Sequence, residues 1–467
     1  MTSMQHKFGA LDLIRAGLQD LDKARTLFDE LHNDGIDDDR MRLLLTTLEK
    51  ACDPDVALSN LVDIIKVVQS QGEDFTNIIA DENSFIRLIT VLGVSDEMGK
   101  LMRFRPELVE AAANDACESH LYNHEQRRAH VLKSVGADPN DHTMPTASLP
   151  LAEAATALRK TYRKQLAAIM AQDATANDPI TIQPRISTEL SDLADAALEG
   201  ALAIARHEVD GSEHVRFAII GMGKLGAQEL NYVSDVDLIY VVEPADADTN
   251  GMTLSRVGTK MATTLQRVCQ SVIMGVAEPT LWQIDGGLRP EGKDGPLVRR
   301  LESHEAYYEQ WAENWEFQAL LKARPVAGDS DLGQAYMSMT RPFVWTASKR
   351  DNFVYDCQQM RKRVEDLIPN PLKDREIKLG RGGLRDVEFT VQMLQLVHGR
   401  SDEALRTSST LESLQALAEG GYVSRKQAKK ALMGLPIRTS TGTPTANVGA
   451  QAHPPVPGPR QSQRGRP

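Results

Sequence analysis

From the N-terminus to about residue 205, apolar residues recur at three- and four-residue intervals, as in LDLIRAGLQDLDKARTLFDEL and ALSNLVDIIKVVQSQG. This spacing places one apolar stripe on each successive helix and leaves almost no room for strands. ATALRKTYRKQLAAIMAQDA and ISTELSDLADAALEGALAIARHEV continue the pattern, with Ser187 or Thr188 positioned to cap the second. At Val215 the period changes. VRFAIIG and DVDLIYVV are short β-rich runs joined by the glycine-containing GMGKLGAQELNYVS, and a third candidate strand lies around TLWQID, followed by the glycine-rich GGLRPEGKDGPLV. Between the second and third runs, SRVGTKMATTLQRVCQSVIMG reads as a helix.

In HEAYYEQWAENWEFQALLKARPVAGD, helical spacing puts Tyr308, Trp311, Trp315 and Ala319 on one stripe, expected to pack on the sheet. Beyond about residue 331 the period is helical again. GRGGLRDVEFTVQMLQLVHG reads as a glycine turn followed by a helix with Leu384, Val387, Val391, Leu394 and Val397 on one face and Arg385, Asp386 and Glu388 off it. Arg381, Arg385, Asp386 and Glu388 suit a charged domain junction as well as a site. From Gly434 onward the chain has seven prolines and neither an acidic nor an aromatic residue, so disorder is expected. The divisions are a helical region over 1–205, a catalytic domain over 206–330, a helical region over 331–433 and a tail over 434–467. The fold class is α+β, mostly helical, with a small mixed sheet embedded between helical regions.

Composition narrows the function classes. A chain of 467 residues with net charge −12 presents an acidic surface that disfavours broad nucleic-acid binding. No apolar run reaches the roughly 18 residues of a membrane span, and the N-terminus lacks a signal-peptide pattern, so a cytoplasmic protein without membrane association is expected. The cysteines at 52, 117, 269 and 357 are far apart and suggest neither a zinc site nor a disulfide framework.

The candidate chemistry lies in the acids. Asp235 and Asp237, two apart at the start of a strand, share a face and repel unless a cation lies between them. If Asp285 on the later run joins them, three carboxylates form an oxygen cage suited to one or two Mg²⁺, the usual means of handling phosphates. Gly221, Gly223 and Gly226 also spell G-x-G-x-x-G, with Glu243 about 20 residues on, as a dinucleotide fold requires. The eight residues from Ala227 to Ser234 are too few for a helical crossover, however, and two acids beside the turn would repel a pyrophosphate in the absence of metal. With metal, the turn and Lys224 would face the phosphates that Asp235 and Asp237 reach through the ion.

The run GMGKLGAQELNYVSDVDLIYVV resembles the signature of the nucleotidyltransferase superfamily of DNA polymerase β, and specifically the glutamine synthetase adenylyltransferase/adenylyl-removing family. IDGGLRPEGKDGPLV, YYEQWAENWEFQALLKARPVAGD and GRGGLRDVEFTVQ fit the same family in order, over about residues 215–400. The resemblance implies that Asp235, Asp237 and Asp285 are catalytic metal ligands for Mg²⁺, with two ions expected. It also implies that Gly221, Gly223, Gly226 and Ser234 form the phosphate-facing turn. Lys224, Arg289, Lys322 and Arg324 are candidate phosphate holders, although Lys322 and Arg324 would equally suit a helix end.

The implied substrates are phosphate and ADP, or ATP, and the implied partners are glutamine synthetase and the nitrogen-regulatory PII protein. Family members carry two catalytic halves in tandem, the first removing AMP from a tyrosine and the second attaching it. This chain holds one SDxD block, like the first half, and then the proline-rich tail, the pattern of a truncated or frame-shifted product. Removal by phosphorolysis is therefore expected, with attachment, a silent interaction fragment and a dinucleotide-binding oxidoreductase as alternatives.

Overall fold

The β-rich runs flanking the glycine turn pair with each other. In the computed structural model, β1 (Val215–Gly221) runs antiparallel to β2 (Val236–Pro244), matching Ala218 with Val241 and Gly221 with Leu238. That pairing excludes a dinucleotide-binding βαβ unit, whose strands must be parallel. The structure describes residues 8–70, 72, 75, 81–113, 122–247, 249–366, 368–369, 376–429 and 431, so the proline-rich tail and Cys117 lie outside the described residues. The fold is α+β and mostly helical, with a small mixed sheet.

The chain divides into two compact units. One takes in the described residues of Met1–Asn123 and Lys160–Leu190 and is helical. Its helices start at side-chain caps: Asp20, Asp37, Asp81 and Ser95 each accept from a backbone N–H three residues on. The predicted stripes form its core, with Leu44, Leu58, Leu61, Ile65, Leu88 and Leu92 each at most 1% exposed. Buried Arg87 donates twice to the Ala113 carbonyl, satisfying a helix end that has no partner of its own.

The second unit takes in His124–Arg159 and the described part of Ser191–Thr441 and contains the sheet, ordered β3-β2-β1-β5. β3 (Ile284–Asp285) and β4 (Val298–Arg299) both run parallel to β2, along its start and its middle respectively. β5 (Arg324–Gly328) runs antiparallel to β1. Alternate residues face opposite ways: Ala218, Ile220, Ile239 and Val241 join a core with Tyr308, Phe317, Leu332 and Tyr336. On the other side Phe217 meets Tyr240, whose hydroxyl accepts from Gln266 on the helix Gly251–Gln270. The end of that helix is tied by the buried guanidinium of Arg159, which donates to the carbonyls of Val268, Ser271 and Glu278.

Two helix boundaries and one helix face differ from expectation. Ser187 and Thr188 cap nothing, because their helix already starts at Pro179. Asp178 accepts from the N–H groups of Ile180 and Thr181, and proline at the first helical position is preorganised for that start. The Tyr308–Trp311–Trp315–Ala319 stripe is broken. The helix Leu301–Gln310 stops, a capping box between Glu313 and Glu316 starts Asn314–Leu320, and Trp311 is left 72% exposed. On the helix Leu384–His398, Val391 is core, whereas Val397 is exposed and Glu388 is turned inward.

At Gly226 a Cβ would lie 1.8 Å from the Lys322 carbonyl oxygen and 2.5 Å from that of Gly221, both backbone atoms. Gly226→Ala should therefore cost about 3 kcal/mol or more in chemical denaturation. Gly251→Ala, at a helix start with nothing within 4 Å, should be neutral or stabilising. Equal effects from the two substitutions would contradict the packing described.

Candidate active site

The candidate site is built where β2 begins. Asp235 immediately precedes the strand and Asp237 is its second residue, so strand alternation sends both carboxylates to one side. In the parallel pairing of β2 with β3, Asp237 stands opposite Asp285, which places the third acid alongside the second. The Asp285 carboxylate accepts from the Gly287 N–H at 2.7 Å, and β3 is secured where the Ile284 N–H reaches Gln270 at 2.8 Å.

The glycine turn closes over the same spot. Met222 donates its N–H to the Asp237 carbonyl at 2.8 Å, and Gly223, at φ 53°, lies so near that a Cβ there would sit 2.5 Å from Asp237 Oδ2. Only glycine allows that approach in that conformation.

Crowding of like charge appears in the titration of Asp237, which is pushed up to about 7, first by burial and then by Asp235 and Asp285. The three carboxylates are adjacent but not closed on a point. Among the described residues, the set of three ligating side chains with atoms within 4.8 Å of one another is instead His124, Asp192 and Asp195. Both Asp195 oxygens accept from Arg324, and Asp192 accepts from Gln228, so this second set is occupied by protein donors. The aspartate trio better fits a hard divalent cation: its donors are all oxygen, and its mutual repulsion is what a cation would relieve.

The basic candidates divide by position. Lys224 lies 3.5 Å from Ser234 Oγ, which in turn donates to Asn231. Burial, followed by the cations Lys378, Arg385 and Lys322, lowers Lys224 to about 8. Arg289 stands beside Asp285, but its guanidinium donates to the carbonyls of Gly286, Lys293 and Gly295 and so braces the loop after β3. Lys322 is buried, donating to Glu229 at 2.8 Å and Thr410 at 3.0 Å, with Glu388 at 3.8 Å. Arg324 lies under the turn, paired with Asp195 at 2.6 Å and donating to the carbonyls of Leu225 and Gly226. Gly221 and Gly226 pack against Val326 and Lys322 respectively.

Sequence reasoning left Arg385 and Glu388 between a domain junction and a site and did not single out Lys378, and all three belong to this neighbourhood. Lys378 is close enough to feel Asp235 and Asp237, and Arg385 to feel Asp237. Burial would raise Glu388, but Lys322, Arg385, Lys224 and Lys378 together hold it below the usual carboxylate range. The available signal was the GRGGLRDVEF block itself, whose Arg385 and Glu388 fall one turn apart at the start of a helix.

Because the folded-state pKa of Asp237 exceeds its ordinary value, the metal-free fold loses stability as pH rises from about 4 through about 7. Asp237→Asn should therefore be more stable than the parent in metal-free buffer at pH 8, by on the order of 1–3 kcal/mol and with a higher unfolding midpoint, and show no such gain at pH 4. Calorimetry at the two pH values checks this, and a lower midpoint for the variant at pH 8 would contradict it.

Residues 85–339 match the profile of the glutamate-ammonia ligase adenylyltransferase family, and residues 358–433 match that of GlnD PII-uridylyltransferase. The chain is 76% identical over 428 residues to the bifunctional glutamine synthetase adenylyltransferase/adenylyl-removing enzyme of Bifidobacterium longum strain DJO10A, covering 92% of this chain and 40% of that protein. Proteins of the same description from Cutibacterium acnes and Streptomyces avermitilis are 43% and 42% identical, covering 90% and 89% of this chain and 42% and 39% of theirs. The chain thus spans about 40% of the length of the curated relatives it matches. With more than half of its length inside the matched profile and the glycine turn and all three aspartates among those residues, the chain belongs to the glutamate-ammonia ligase adenylyltransferase family.

Proposed function

We propose that this chain carries out metal-dependent nucleotidyl transfer at a tyrosine of glutamine synthetase, in the direction of adenylyl removal. The observation that carries the reading is the placement of Asp285 opposite Asp237 across β2 and β3, with Asp235 on the same side and Gly223 closing over them. Asp235, Asp237 and Asp285 would hold Mg²⁺, with two ions matching three carboxylates; when bound, the metal neutralises charge on the attacking and leaving oxygens of an in-line displacement.

The chain's own residues account for the remaining parts. An oxygen of orthophosphate forms a bond to the α-phosphorus of adenylyl-tyrosine while the bond to the tyrosine oxygen breaks. The products are ADP and a phenolate that takes the proton released by the phosphate. A phenol's pKa near 10 makes it a tolerable leaving group. Gly221, Gly223 and Gly226 give the turn its close approach, and Ser234 and Lys224 flank the acids on the side where phosphate oxygens would lie. Of the other cations, Arg289 would serve by fixing the loop beside Asp285, while Lys322 and Arg324 would hold the turn from behind.

The likeness of the motif run to the first of two tandem family halves supports removal over attachment. Nitrogen control in the cytoplasm, with the PII protein as a further partner, follows from the same likeness. Among the described residues no helix is long and apolar enough to cross a membrane.

Purified chain incubated with adenylylated glutamine synthetase, Mg²⁺ and orthophosphate should release ADP. Asp235→Asn and Asp237→Asn should each slow release by on the order of 10²–10³-fold. Absence of ADP with the parent chain, or parental rates in both variants, would overturn the reading.

A further inference from the structure

Away from the aspartates, the helix Ser330–Thr346 and the chain that follows Leu384–His398 border a cavity of about 870 Å³, within the size range of small-ligand sites. Its floor is apolar, with Leu320, Leu321, Val344 and the half-buried Trp345. None of the three aspartates lines it, nor does Lys322, whose ammonium goes instead to Glu229 and Thr410.

Three guanidinium groups border the cavity, from Arg341, Arg400 and Arg406. Arg406 is spent on the wall itself: it lies over the Trp345 ring at 5.2 Å, pairs with Glu403 at 2.7 Å and donates to the carbonyls of Gly399 and Arg400. Glu403 is the one acid on the lining among the described residues, and Arg406 takes it. Arg341 and Arg400 have neither an ion pair nor a side-chain hydrogen bond to any described residue. A single exposed arginine without a partner is ordinary on a protein surface. Two that converge from different elements on one apolar concavity focus a positive potential there, because low-dielectric walls limit screening.

The helix adds a further feature. Pro342 stands inside it and has no N–H, so the Ser338 carbonyl one turn earlier lacks its usual helical donor. Both residues line the cavity.

We infer that this cavity is a second ligand site, for a small organic anion whose apolar body lies on Leu321, Val344 and Trp345 and whose anionic oxygens pair with Arg341 and Arg400. A donor on that body takes the Ser338 carbonyl. A nucleoside monophosphate and an aromatic dicarboxylate share this chemistry, since each carries two negative charges on an apolar frame. The site is independent of the adenylyl reaction proposed above.

Isothermal titration of the full chain in EDTA, which withholds metal from the aspartates, tests the site with AMP and isophthalate as separate probes. At least one should bind the parent. Whichever binds should bind Arg341→Gln and Arg400→Gln each about tenfold or more weakly, the loss of one charge-assisted contact. Orthophosphate, which has the charge without the apolar body, should bind the parent about tenfold or more weakly than that probe. Asp237→Asn should bind the probe within about twofold of the parent, which places the ligand away from the aspartates. Ser338→Trp, on the exposed wall, should fill the cavity and abolish binding. Because Arg341 and Arg400 hold no partners, their variants should unfold at the parental midpoint, so weaker binding reports the site.

Absence of binding by both probes, parental affinity in the arginine variants or in Ser338→Trp, orthophosphate binding as tight as the organic probe, or loss of binding in Asp237→Asn would overturn the inference. Binding of AMP alone or of isophthalate alone, with the arginine dependence, supports it and distinguishes the two sources.

Discussion

Everything at this site depends on one short parallel pairing. Two residues of β3 lie along the start of β2, and that register alone sets Asp285 against Asp237 instead of against solvent. Because side chains alternate along a strand, a slip of one residue would send Asp285 to the opposite face and leave Asp235 and Asp237 as an isolated pair. Few hydrogen bonds can fix so short a strand. The register is enforced from outside, by the contact of Gln270 with Ile284, by the Leu281 N–H on the Cys269 carbonyl, and by the Arg289 brace in the following loop.

The buried charges of this unit are arranged around that pairing. Arg159 secures the end of the helix from which Gln270 extends, and Arg324 with Asp195 holds the carbonyls of the glycine turn from below. Lys322 links Glu229, at the far end of that turn, to Thr410. These ion pairs are partly or fully buried, a setting in which removing one partner strands the other at high cost. They fasten a turn, a helix and a loop around the aspartates, with the cations Lys378 and Arg385 close by. That polarity suits a reaction in which metal and phosphate must occupy adjacent positions.

Much of this was legible in the sequence where local rules decide. The change of period at Val215 marked the sheet, and the DxD spacing put Asp235 and Asp237 on one face whatever the tertiary fold. The motif order pointed to Asp285, although nothing local could have shown that its strand would be only two residues long. Expectations failed where tertiary partners outvote spacing. Helical periodicity ran straight through Trp311 because it cannot register the capping box at Glu313 and Glu316. Glu388 looked like surface charge because its partners, Lys322 and Lys224, lie 66 and 164 positions earlier. Arg289, Lys322 and Arg324 were legible as basic residues near the motifs, but their engagement with loop carbonyls, Glu229 and Asp195 is a property of the assembled unit.

The central claim is that the aspartate trio, and not the nearby His124–Asp192–Asp195 group, is the divalent-cation site. A Mg²⁺ titration by calorimetry on the parent, Asp237→Asn and His124→Ala separates the two. The account predicts that the parent and His124→Ala bind with similar affinity and that Asp237→Asn loses binding. Retained affinity in Asp237→Asn, or its loss in His124→Ala, would contradict it.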